Sequence, residues 1–137
     1  MNYVDGFLIP VARSKKEAYR ELAARTAPIF KEHGALRVVE CWIDEGEVVP
    51  KEFFHAADAR PELDSAQQDA SAGFRAAARA GADEAVVFAW MEWPDRAARD
   101  KGMKLAMEDP RMQFDDAEST FAGNRLIACG FIPILQA

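Results

Sequence analysis

Four segments of the chain carry large apolar residues at both odd and even positions: YVDGFLIPV (3–11), LRVVECWI (36–43), AVVFAWMEW (85–93) and RLIACGFIPIL (125–135). A strand with one wet face alternates apolar with polar. Here Val86, Phe88 and Trp90 share one side, while Val87, Met91 and Trp93 share the other. The pattern predicts strands covered on both faces. Two amphipathic helices accompany them. The first has capping-box spacing, with Ser14 as N-cap and Glu17 three residues on. Its inner stripe is Tyr19, Leu22, Ala23, Thr26, Ile29 and Phe30, and Gly34 is a natural residue just past its end. Pro28 predicts a bend in its last turn. The second helix starts near Asp95, after Pro94, and ends by Asp109, ahead of Pro110. Its inner positions are Ala98, Leu105, Ala106 and either Met103 or Met107. Gly102 either weakens this helix or admits another backbone closely.

The order strand, helix, strand, long connection, strand, helix, strand is the α+β, ferredoxin-like βαββαβ pattern. It predicts a four-stranded antiparallel sheet in spatial order 4-1-3-2, with both helices on one face. The second face then needs a cover, and another copy of the chain is the simplest one. The long connection, 46–84, is polar and alanine-rich. Within it KEFFHAADA (51–59) reads as a short helix or an apolar flap, and FRAAARA (74–80) as two helical turns stopped by Gly81. Residues 1–137 form one domain, an ordinary size for a single core.

Several segments are also familiar as sequence. YVDGF, KEHGALRVVECW, VVFAWMEWPDRAARD, DPRM and FAGNRLIACGF, in that order, resemble the YbaA-like family of small bacterial proteins. The likeness covers nearly the whole chain except about 47–72. It implies a homodimer of the dimeric α/β-barrel kind, in which two sheets pack face to face. It implies no particular activity, since related folds serve cofactor-free oxygenases, haem enzymes and small-molecule binders.

Composition narrows the function classes. Half the residues are apolar, 29% are charged, and the net charge is −6. An acidic chain gains no counterion-release affinity for nucleic acid or anionic lipid, so neither a nucleic-acid nor a membrane partner is expected. The densest basic stretch, Arg13, Lys15, Lys16 and Arg20, reads as cations spread around a solvated helix face. No apolar run approaches a membrane span and no leader is visible, so a cytoplasmic location is expected. Cys41 and Cys129 read as two buried, reduced thiols on opposite sheet edges. His33 reads as a complement to the first helix's C-terminus, and His55 as a lone histidine without ligand spacing. No metal site and no cofactor are expected, and Gly123-Asn124 and Asp109-Pro110 read as turns.

The candidate chemistry sits in the strands. Tyr3, Asp5 and Phe7 share one face of the first strand. Glu40 and Trp42 share one in the second, and Glu92 shares one with Phe88 and Trp90 in the third. Acids are rarely buried without partners, and a carboxylate in an apolar pocket has a raised pKa and can act as a general base or acid. Asp5, Glu40 and Glu92 are the candidate catalytic acids. Tyr3, Phe7, Trp42 and Trp90 are the candidate ligand contacts for a flat apolar or aromatic molecule, held between sheet and helices or between subunits. Structural roles compete: Glu40 would pair with Arg37, Arg125 or a partner's arginine, and Glu92 would be solvated near a strand end. The expected function is therefore a homodimer that binds a small molecule in its barrel cavity, with a cofactor-free enzyme as one version. The alternative is a structural or regulatory dimer without a substrate.

Overall fold

The computed structural model describes residues 2–45, 70–113, 120–121 and 123–137. Its regular elements are β1 (Tyr3–Ala12), α1 (Lys16–Glu32), β2 (Arg37–Trp42), α2 (Ala70–Ala78), β3 (Glu84–Trp93), α3 (Arg96–Glu108) and β4 (Ile127–Phe131). The strands form one sheet in the order β2-β3-β1-β4 with every neighbour antiparallel. This is the expected ferredoxin-like topology. The expected barrel is not formed. The sheet is open, with β2 and β4 as its edges. A closed sheet with a side-chain-filled interior takes about eight strands, and four cannot curl far enough to join their ends.

The register sorts the side chains onto two faces. Asp5 opposes Met91, Phe7 opposes Ala89 and Ile9 opposes Val87, all on the side that α1 and α3 cover. The core there is Ile9, Val11, Tyr19, Val87 and Ala89, continued by Tyr3, Ala35, Met91 and Trp93. On the other face Gly6 opposes Trp90, Leu8 opposes Phe88, and Cys41 opposes Phe88 from β2. α2 covers one end of that second face. Its Phe74 meets Phe88 edge-on at 6.1 Å, and the register partners Pro10 and Val86 are fully buried. Among the described residues nothing covers the rest: Phe88, Ile127 and Phe131 are 46%, 50% and 56% exposed.

The helix ends show which local signals held. α1 closes in a Schellman arrangement: Ala35 N–H donates to the Phe30 carbonyl at 3.0 Å and Gly34 N–H to the Lys31 carbonyl at 3.1 Å, with Gly34 at φ +114°. The capping box does not form. Arg13–Lys15 make a 3-10 turn first, so Ser14 lies inside it and no side chain caps either turn or helix. Glu17 instead takes Arg20 Nε at 3.0 Å. Asp95 caps α3 as expected, accepting from Ala98 N–H at 2.7 Å. Gly102 admits a close approach, because a Cβ there would collide with the His33 carbonyl and the Trp93 ring. α3 thus packs against the closing turn of α1. The 109–112 turn locks the same corner: Asp109 accepts from His33 Nε2 at 3.0 Å, and Arg111 bridges Asp109 to Glu32.

Other expectations change. α2 ends in the same Schellman pattern, but Arg79 rather than Gly81 takes the left-handed position, at φ +56°. β4 stops at Phe131, not near 135, and Pro133 has no N–H with which to continue a ladder. Gly123 and Asn124 take no positive φ; they open a 3-10 turn, Gly123–Arg125. Cys129 is exposed and Cys41 half-buried, both on the second face and both free. The expectations for 51–59 and for His55 lie outside the described residues.

Candidate functional site

The three acids do not converge. Asp5 and Glu40 lie on the helix-covered face, two strands apart, and Glu92 lies on the opposite face. A cavity between two stacked sheets would therefore meet only Glu92 and Trp90 of the expected residues.

Asp5 is 4% exposed and fully engaged. Trp93 Nε1 donates to its Oδ2 at 3.0 Å, and Arg99 NH1 lies 3.2 Å from its Oδ1. Arg99 also donates to the Tyr3 hydroxyl at 2.8 Å and stacks over the Tyr3 ring. Gly130 makes room for that hydroxyl. Burial pushes the Asp5 carboxyl up, and the Arg99 charge and the Trp93 hydrogen bond pull it back. This cluster joins β1, β3, α3 and β4 at one point. Its members spend their polar atoms on each other, apart from the buried Arg99 Nε, which Asp100 approaches without a hydrogen bond.

Glu92 is half-buried on the open face, where Trp90 Nε1 donates to it at 3.3 Å and Arg37 stands 3.8 Å away. Trp90 packs against Phe88 there. Phe7 is absorbed into the helix-side core, touching both of its halves.

Glu40 has a different setting. It sits on the edge strand β2, where the Tyr19 hydroxyl donates to its Oε2 at 2.8 Å. None of the expected arginines reaches it within this chain: Arg37 points to the other face near Glu92, and Arg125 makes a two-pronged bridge to Glu84 at 2.8 and 2.9 Å. Although Glu40 is exposed as a residue, its carboxylate leans in beneath α1. Burial there pushes its pKa up, and only the Tyr19 hydrogen bond opposes the shift. Burial and the neighbouring carboxylate push the Tyr19 phenol strongly upward as well.

Around this pair lies an open cleft of about 160 Å³, lined by Lys16, Tyr19, Arg20 and Ala23 of α1, Glu40, Cys41 and Trp42 of β2, and Val87 of β3. The α1 residues are spaced i, i+3, i+4, i+7, one face of a helix. Lys16 and Arg20, read from sequence as solvated cations, stand at the rim of this cleft, with Lys16 Nζ 5.3 Å above the Trp42 ring. Sequence periodicity identified Tyr19 and Ala23 only as core. The signal it offered was Lys16 and Arg20 on the same turn faces as that stripe. The arrangement offers the Trp42 ring beside a carboxylate–phenol pair. Among the described residues no group of three His, Cys, Asp or Glu side chains is placed to hold a metal ion, and no helix is long and apolar enough to cross a membrane.

The fold is thus an open ferredoxin-like domain with a cleft at one sheet edge. The chain belongs to the family described as "Protein of unknown function (DUF1428)", whose pattern matches residues 2–123. It is 42% identical over 139 residues to the uncharacterized protein YbaA of Escherichia coli strain K12 and to that of Shigella flexneri, spanning 99% of either chain in each comparison. The YbaA-like resemblance therefore holds, and the match runs through 47–72 as well. A crystal structure described as a dimeric ferredoxin-like protein from an uncultured marine organism superposes with a TM-score of 0.53 over the whole of both chains at 9% identity. That likeness concerns the fold alone.

Proposed function

We propose that this protein is a homodimer in which each chain binds one small, flat, apolar or aromatic molecule in the cleft between α1 and β2. The observation that carries the reading is Glu40: a carboxylate with a raised pKa, held by Tyr19, paired with no arginine among the described residues, in a cleft whose walls also carry Ala23 and Trp42. Such a group is suited to exchange a proton or a hydrogen bond with a ligand. Trp42 supplies the stacking surface. Tyr3, Asp5, Phe7, Trp90 and Glu92 act in the fold rather than on the ligand. A cofactor-free reaction at Glu40 is the enzymatic version of this reading.

The homodimer rests on the part of the second face that no described residue covers. Phe88, Ile127 and Phe131 with Phe74 make a contiguous apolar patch of the kind that marks an interaction surface. A protein of similar fold is described as dimeric. This face also favours the second reading, a structural or regulatory dimer without a substrate, because it owes nothing to the cleft. Phenol titrated into ¹⁵N-labelled protein separates the two. The binding reading expects saturable shifts at the amides of Ala23, Cys41 and Trp42, lost in Trp42→Ala. Unmoved amides there would leave the substrate-free dimer.

A further inference from the structure

We infer that the ligand class of this cleft is a small aromatic carboxylate, its carboxylate held at the rim by Lys16 and Arg20 and its ring laid against Trp42. The inference rests on the cleft being a ligand site and adds what the rim selects. α1 places Lys16 and Arg20 four residues apart, one turn above the other, on the side that faces β2. Lys16 Nζ stands over the Trp42 ring at 5.3 Å, so an anion bound to it lies close to that ring. Arg20 Nε also donates to Glu17 at 3.0 Å on the exposed side of α1.

The opposite wall sets the orientation. Glu40 is the acid on β2 that lines the cleft, and it would repel a carboxylate. A ligand anion therefore lies toward α1, and the far end of the ring meets Glu40 with a hydrogen-bond donor such as a hydroxyl. Glu17, the next acid on α1, is not among the lining residues and is paired with Arg20. Size limits the class further. A cavity on the order of 150 Å³ accommodates a single benzene ring, and the cleft has about 160 Å³. The chain's net charge of −6 works against anions at long range, so these two cations must act locally and be sensitive to salt.

The test compares 4-hydroxybenzoate with the neutral 4-hydroxybenzamide, each titrated into ¹⁵N-labelled protein at neutral pH and low salt. The acid should bind roughly ten-fold tighter than the amide, the worth of two exposed ion pairs. The double variant Lys16→Gln/Arg20→Gln, at two exposed positions, should reduce the acid to the amide's affinity and leave the amide unchanged. Equal affinities, or an acid unaffected by the double variant, overturn the carboxylate class while the cleft remains a ligand site. If neither compound shifts the amides of Ala23, Cys41 and Trp42, the cleft reading fails, and this inference with it.

Discussion

At Glu40 the pKa shift has a consequence for stability. A carboxyl whose folded pKa is raised contributes stability below its unfolded value, about 4.3, and that contribution is lost as pH rises through the folded value. Glu40 is raised by burial against a single hydrogen bond. Glu40→Gln keeps an acceptor for Tyr19 and carries no charge. Urea unfolding should find the two proteins equal at pH 4 and the variant the more stable at neutral pH; a wild-type advantage at neutral pH would contradict the burial of this carboxylate. Asp5 is raised too, yet its surroundings differ, because Arg99 sits beside it. Asp5→Ala strands that guanidinium and should cost about 3 kcal/mol, the low end for breaking a buried pair. Arg79 holds a left-handed conformation that costs a non-glycine residue roughly 1–2 kcal/mol. Arg79→Gly should therefore stabilise the protein, by about 0.5–1 kcal/mol after the added freedom of the unfolded chain is subtracted.

At the scale of elements, α3 and the end of α1 meet in a close joint at Gly102. Gly102→Ala places a methyl group against the His33 carbonyl and Trp93 and should cost about 1–3 kcal/mol, the range for overpacking. A melting temperature unchanged by that substitution would contradict the close approach. Much of this layout was legible in the sequence. Gly34, Asp95 and Pro110 marked ends that depend on one residue's backbone or side chain, and Asp5, Glu40 and Trp42 were assigned to shared faces by strand parity alone. The signals that failed depend on neighbours. Ser14 loses its cap because Arg13, drawn to Glu45 at 2.7 Å, belongs to a turn ahead of the helix. Glu40's partner is Tyr19 rather than an arginine, which follows from how α1 lies over β2 and not from spacing within either. The apolar segment 125–135 could not reveal that β4 ends at Phe131, since β1 offers it partners only from Val4 to Leu8.

For the whole molecule, doubly apolar strands pointed to two covered faces, and among the described residues α1 and α3 cover one while α2 covers part of the other. Composition alone cannot distinguish a bare face from a closed barrel, so the open sheet had to come from the strand order. If a second copy covers the bare face, light scattering should give twice the chain mass of 15.2 kDa, and Phe88→Asp with Phe131→Asp should halve it without altering the cleft. The central claim is the cleft itself. Crystals soaked in 4-bromophenol and measured at the bromine edge test it most directly. The account predicts an anomalous peak beside the Trp42 ring, with the phenol oxygen within hydrogen-bond distance of Glu40. Bromine found only on the open face beside Phe88, with this cleft empty, would contradict it.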